Sequence, residues 1–226
     1  MYTQGQRYYY GQGVPQDYAK AREWYEKAAD KGNADAMANL GVLYEMGQGV
    51  AQDYAKARQW YQKAADEGSV DAMANLGVFY EKGQGVPQDY AKAREWYEKA
   101  AAGGNINAMF GLGLIYDFGR GVPQDYVKAR ELYEKAAAGG NVSAMFGLGL
   151  IYDFGRGVPQ DYAKAREWYE KAAAAGNVDA MISLGLLYNS GQGVAQDYAK
   201  AREWYQKAAD KGNADAKARV AKLPSR

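Results

Sequence analysis

Asp117 and Asp153 are the side chains that most invite a chemical reading, two carboxylates set 36 positions apart, each followed by Phe (Phe118, Phe154) and two residues later by Arg (Arg120, Arg156). A carboxylate pair does acid–base work or holds a divalent metal only when a second ligand or a proton carrier stands beside it. The chain contains no His and no Cys. That removes the side chain most used for proton transfer near neutrality, and with it thiol chemistry, disulfides and the usual zinc sets. The other motif with a chemical sound is Gly-x-Gly-Val, at Gly119-Arg120-Gly121-Val122 and elsewhere. It follows a helical pattern instead of a strand and lacks the third glycine of a dinucleotide loop, so it reads as a turn. No catalytic residue, cofactor site or metal site is expected.

The elements that position these residues repeat. Gly-x-Gly-Val begins at Gly11, Gly47, Gly83, Gly119, Gly155 and Gly191, each 36 residues after the last, with no insertion or deletion. A fixed period in this range marks a stacked repeat array in which each unit buries its face on the next. The expected organisation is one domain over residues 1–226: a partial repeat at 1–33, full repeats at 34–69, 70–105, 106–141, 142–177 and 178–213, and a capping helix at 214–226.

Within one repeat the pattern predicts two helices. Asn33 can cap the first, which carries Ala36, Met37, Leu40, Leu43 and Tyr44 on one face, and Gly47 suits its left-handed end. Gly41 lies beside that face, where a missing side chain lets another helix approach. Asp53 caps the second helix, whose buried stripe is Tyr54, Ala57, Tyr61, Ala64 and Ala65. Its wet face offers Glu–Lys pairs four apart, such as Glu23–Lys27 and Glu95–Lys99. The repeated Trp (Trp24, Trp60, Trp96, Trp168, Trp204) is expected to pack between helix pairs.

The run Ala-x-x-x-Leu-Gly-x-x-Tyr-x-x-Gly-x-Gly-Val-x-x-Asp-Tyr-x-Lys-Ala-x-x-Trp-Tyr-x-Lys-Ala-Ala resembles the Sel1-like repeat (SLR), a relative of the tetratricopeptide repeat, over essentially the whole chain. The resemblance implies an all-α, right-handed superhelical α/α solenoid of 36-residue SLR helix pairs. It also implies an adaptor that assembles protein complexes. A cysteine-rich branch with reported hydrolase activity is set aside, because this chain has no Cys.

In such an array, what is particular to the protein lies where its repeats differ. Residues 106–141 and 142–177 agree at 31 of 36 positions. Both carry Phe-Gly (Phe110-Gly111, Phe146-Gly147) where other copies have Ala38-Asn39 or Ala74-Asn75, and Phe118 or Phe154 where others have Met46, Lys82 or Ser190. At about 100° per residue, Phe110, Leu114 and Phe118 form a stripe opposite Leu112 and Tyr116. Phe146, Leu150 and Phe154 repeat it, and Ile182 and Leu186 continue it. In tetratricopeptide arrays the equivalent positions line a concave peptide groove. Two readings stand: a groove for a partner, or apolar volume moved sideways to fill space between helices.

The function expected is a non-enzymatic scaffold binding a peptide or helical segment by apolar anchors, with Asp117 and Asp153 favouring a basic residue on it and Arg120 and Arg156 at the rim. The alternatives are an engineered or consensus-like array with no natural partner, and a hydrolase by analogy with the cysteine-rich branch. Lys and Arg total 28 against 27 Asp and Glu, a formal net charge of +1. That gives no field to recruit nucleic acid. No apolar run approaches the roughly 18 residues of a membrane span. The start, Met1-Tyr2-Thr3-Gln4, carries no signal peptide, so the chain reads as cytoplasmic as written, or periplasmic or secreted if such a peptide was removed. The Tyr8-Tyr9-Tyr10 run is a candidate sticky end for pairing between chains, and the expected state is a monomer or weak homodimer.

Overall fold

A computed structural model describes residues 1–224. Thirteen α-helices and no strands occur among them. In chain order they are α1 Tyr2–Tyr10, α2 Tyr18–Ala29, α3 Ala34–Met46, α4 Tyr54–Asp66, α5 Val70–Lys82, α6 Tyr90–Ala102, α7 Ile106–Phe118, α8 Tyr126–Ala138, α9 Val142–Phe154, α10 Tyr162–Ala174, α11 Val178–Ser190, α12 Tyr198–Asp210 and α13 Ala214–Lys222. Each odd-numbered helix opens a repeat and the next even-numbered one closes it.

The boundaries follow from local chemistry. Asp53 Oδ1 accepts from Lys56 N at 2.9 Å to start α4, and Asn33 Oδ1 accepts from Ala36 N at 2.7 Å to start α3. Side-chain oxygens at these positions satisfy donors that the first turn leaves without partners. Gly47 and Gly155 end α3 and α9 with φ 67° and 64°, the left-handed region that a Cβ disfavours. The loop that follows is braced from within. Gln52 Nε2 donates to the Glu45 carbonyl at 2.8 Å and to Tyr54 Oη at 3.1 Å. Gln160 repeats the first of these bonds to the Asp153 carbonyl at 2.6 Å.

Packing within a repeat turns on one Tyr and one Gly. The ring of Tyr61 lies across Gly41 so closely that a Cβ there would stand 2.5 Å from Tyr61 Cε1. Tyr97 over Gly77 repeats the arrangement. Leu40, Leu43, Ala57 and Ala64 complete the buried interior around Tyr61. A Tyr ring buried on a bare backbone removes a large apolar area from water, at roughly 25 cal/mol per Å².

On the wet face of the second helix the expected Glu23–Lys27 pairing gives way to another partner. Lys27 Nζ lies 4.7 Å from the centroid of the Trp24 ring, and Lys99 Nζ 4.3 Å from that of Trp96. Ion pairs run instead from Arg22 to Glu26 and from Arg94 to Glu98, both at 3.4 Å. A ring three residues back offers the ammonium a weakly solvated face that an exposed carboxylate does not.

The chain divides into two compact units. The first comprises Met1–Ile115 with Arg120–Val122, and the second Tyr116–Gly119 with the described residues from Pro123 on. The first has its core around Tyr25, Tyr61, Leu40 and Phe79. The second has its core around Tyr169, Met181, Leu184 and Leu187. Among the described residues, no helix is long and apolar enough to cross a membrane.

Candidate functional site

Helix α9 is apolar on two sides, as its sequence predicts, but the second side is not uniform. Phe146, near its start, is half-buried, its ring 5.7 Å from that of Tyr169 with a 36° tilt. Leu150 and Ile182 are half-buried against the same core. Phe154 at the C-terminal end is 61% exposed, and Leu186 on α11 is 40% exposed. Between them opens a concavity of about 330 Å³, lined by Leu150, Asp153, Phe154, Tyr162, Ser183, Leu186 and Gln192 among others. In the second unit, then, the sequence-derived stripe splits: Phe146 and Ile182 serve the core, while Leu150, Phe154 and Leu186 meet in an open hollow. In the first unit Phe110 and Leu114 are half-buried on α7. Phe118, whose residue belongs to the second unit, is 55% exposed.

The glycines beside the phenylalanines have a separate explanation. A Cβ on Gly147 would lie 3.1 Å from Tyr133 Cε2, and one on Gly111 2.9 Å from Tyr97 Cζ. A larger residue at either position would press on the Tyr of the preceding repeat. Filling of interior space therefore accounts for Phe146-Gly147, and leaves Phe154 unaccounted for.

The carboxylates are not idle. Tyr133 Oη donates to Asp117 Oδ2 at 3.0 Å, and Tyr169 Oη to Asp153 Oδ2 at 2.8 Å. The same bond joins Tyr61 to Glu45 at 2.6 Å and Tyr97 to Glu81 at 2.7 Å. Burial, and then the neighbouring carboxylate, hold the Tyr61, Tyr97 and Tyr169 phenols far above their ordinary value, so they remain donors. Asp117 is 6% exposed, and Arg156 Nη1 stands 3.6 Å from its Oδ1. The expectation that Asp117 attracts a ligand's basic residue is thereby corrected: its carboxylate is covered and already has an internal cation. Asp153 differs, being half-exposed and part of the hollow's lining.

Arg120 and Arg156 also have internal duties. Arg120 Nη1 lies 2.8 Å from Glu81 Oε1 and Arg156 Nη1 3.6 Å from Asp117 Oδ1, and the Arg156 guanidinium also lies 5.3 Å from the Phe154 ring centroid. Sequence reading missed the Tyr–carboxylate bonds, although their signal is present. The acid at Glu45, Glu81, Asp117 or Asp153 always precedes the buried Tyr by sixteen positions. Tyr162, Ser183 and Gln192 were also missed, since nothing local marks them as neighbours of Phe154.

Other hollows occur. One of about 310 Å³ in the first unit has a polar lining that includes Asp71, Asn75 and Asn105, and Asn105 Nδ2 already donates to Asp71 at 2.8 Å. A larger one, about 840 Å³, lies on α12 against Pro224. Its lining is largely the charged face of that helix, with Arg202, Glu203, Lys207 and Asp210. No cluster of three or more metal-ligating side chains occurs among the described residues.

Capped helix pairs recurring every 36 residues, packed through Tyr-on-Gly contacts, define an α-helical repeat protein. The Sel1 repeat model matches residues 5–33, 34–69, 70–105, 106–141, 142–177 and 178–213, and the chain belongs to the Sel1 repeat family. A Sel1 repeat protein from Oxalobacter formigenes is 39% identical, with a TM-score of 0.84 over 92% of this chain and 85% of that one. A protective antigen of uropathogenic Escherichia coli that displays an SLR fold is 38% identical, with a TM-score of 0.54 over 97% of this chain and 55% of that one. An immunity protein from Pseudomonas aeruginosa shares the fold at 24% identity and a TM-score of 0.61, over 94% of this chain and 83% of that one. Comparison with curated proteins gives no match. Sel1 repeat proteins are generally protein-interaction scaffolds.

Proposed function

We propose that this chain is a non-catalytic scaffold whose second unit docks an extended or helical segment of a partner protein, with an apolar side chain seated between Phe154 and Leu186. The observation that carries the reading is the pair of exposed apolar side chains on the walls of an open hollow. Phe154 and Leu186 are held there by helices that also carry the buried Leu148, Ile151, Leu184 and Leu187. Exposed apolar area gathered around a concavity is what interaction sites offer, whereas scattered exposed residues carry no such meaning. The family's general role as a protein-interaction scaffold supports the same reading. So does the lack of His and Cys, which leaves no ready nucleophile–base pair.

The test is selection of displayed peptides on the purified protein, followed by affinity measurement on Phe154→Ala. Burying the exposed part of Phe154, 61% of the residue, accounts for about 0.9–1.8 kcal/mol, or roughly five- to twentyfold in affinity. Peptides with apolar anchors should be enriched and should weaken by that factor. A selected family whose affinity ignores both Phe154→Ala and Leu186→Ala would place the binding surface elsewhere.

A further inference from the structure

Two arginines in the chain occupy the same kind of seat. In the first unit Arg120 lies 2.8 Å from Glu81 Oε1, and its guanidinium carbon sits 5.8 Å from the centroid of the Tyr90 ring. In the second unit Arg156 lies 3.6 Å from Asp117 Oδ1 and 6.0 Å from the centroid of the Tyr126 ring. Each seat is thus a carboxylate that already holds a Tyr hydroxyl, with an aromatic ring beside it. In both, the arginine follows the acid by 39 positions and the ring by 30.

The same offsets from Asp153 and Tyr162 lead to Gln192. Its Nε2 donates to Tyr162 Oη at 3.1 Å, and no ion pair to Asp153 occurs among the described residues. A neutral amide therefore stands where the two preceding seats hold a cation. Gln84 makes the same replacement opposite Glu45 and Tyr54, but Gln84 is half-buried with its Oε1 covered. Gln192 is exposed, and beside it lies the hollow of about 330 Å³.

We propose that Asp153 and Tyr162 form a seat for an arginine side chain of the bound partner, with Phe154 and Leu186 holding the apolar residue next to it. The inference rests on the docking surface proposed above and names what that surface selects. Charge supports it: the internal arginines show what this constellation accepts, and Asp153 is a half-exposed carboxylate on an apolar wall. A guanidinium suits it better than an ammonium. Its plane can lie on the Tyr162 ring while its N–H groups reach the carboxylate.

The test uses the full chain and two synthetic peptides, acetyl-Leu-Arg-Phe-amide and the same peptide with citrulline, which keeps the shape and removes the charge. Binding is read by NMR titration, following the Gln192 side-chain amide and the Ser183 backbone amide. The arginine peptide should bind about tenfold more tightly than the citrulline peptide at low salt, and the difference should shrink as salt rises. Asp153→Asn should remove the preference. Gln192→Arg should do so as well by supplying the cation internally, and it leaves the Tyr169–Asp153 bond untouched should Asp153→Asn fold poorly. Equal affinity of the two peptides for the unmodified protein, with shifts at Phe154 and Leu186, would overturn the arginine seat and leave the docking surface standing. Binding of neither peptide, with no shift at any of these residues, would count against both.

Discussion

Ile151 and Phe154 are three residues apart on α9, and the structure assigns them opposite fates. Ile151 is fully buried, whereas Phe154 keeps 61% of its surface. Replacing Ile151 with Ala leaves a cavity in a packed interior and should cost about 2–5 kcal/mol. Replacing Phe154 removes only the buried fraction of its side chain, so about 0.6–1.2 kcal/mol of the roughly 1.5–3 kcal/mol for full burial. Two smaller effects oppose each other. Arg156, whose guanidinium lies 5.3 Å from the Phe154 ring centroid, loses an exposed cation–π contact of about 0.5 kcal/mol. Ala gains a similar amount as a better helix former. With a urea slope of about 2 kcal/mol per molar, the midpoint should fall by roughly 0.3–0.6 M for Phe154→Ala and roughly 1–2.5 M for Ile151→Ala. Stacked repeats unfold through neighbour coupling, and placing both substitutions on one helix makes that coupling common to both. Urea unfolding followed by far-UV circular dichroism measures the difference. Equal midpoint shifts would show that Phe154 is an interior residue in solution, and the docking surface would lose its main wall.

Two further outcomes follow from the Tyr contacts. The Tyr61, Tyr97 and Tyr169 phenols are raised by burial, so the folded state holds protons that the unfolded chain releases near pH 10. Their stability contribution is complete below that pH and declines above it by about 1.4 kcal/mol per phenol per pH unit. A distinct final fraction of the phenolate absorbance should rise only together with helix loss; full ionisation of all 21 tyrosines with the helices intact would refute it. Gly41→Ala presses a Cβ against Tyr61 and should cost about 1–3 kcal/mol, more than the roughly 1 kcal/mol for Gly47→Ala at its positive φ. Denaturation midpoints rank the two, and the reverse order would contradict the Tyr-on-Gly packing.

The helix pairs, their caps and their glycine ends were legible because each depends on residues a few positions apart. Asn33 caps α3 and Gly47 ends it with no help from the rest of the fold. The two-sided character of the first helices was legible from periodicity as well. What periodicity does not carry is which part of a stripe the neighbouring helix covers. Phe146 and Phe154 are the same residue type on the same face, yet one meets Tyr169 and the other meets solvent. The fate of the charges was equally hidden. Lys27 had a suitably spaced Glu23 and lies over Trp24 instead. Asp117 looked like a surface acid until Tyr133 and Arg156 closed on it.

The arginine of each internal pair comes from the loop one repeat beyond its acid, since Arg156 serves Asp117 and Arg120 serves Glu81. The charge pattern is therefore a property of junctions, and copying a repeat rewrites it without altering any existing side chain. A second copy of residues 142–177 inserted directly after the first would set an arginine opposite Asp153 and pass the unmatched carboxylate to the new copy. Lineages that lengthen such an array by duplication would thereby shift their acidic end by one repeat at a stroke, and a point change at the loop position now held by Gln192 would fix it in place.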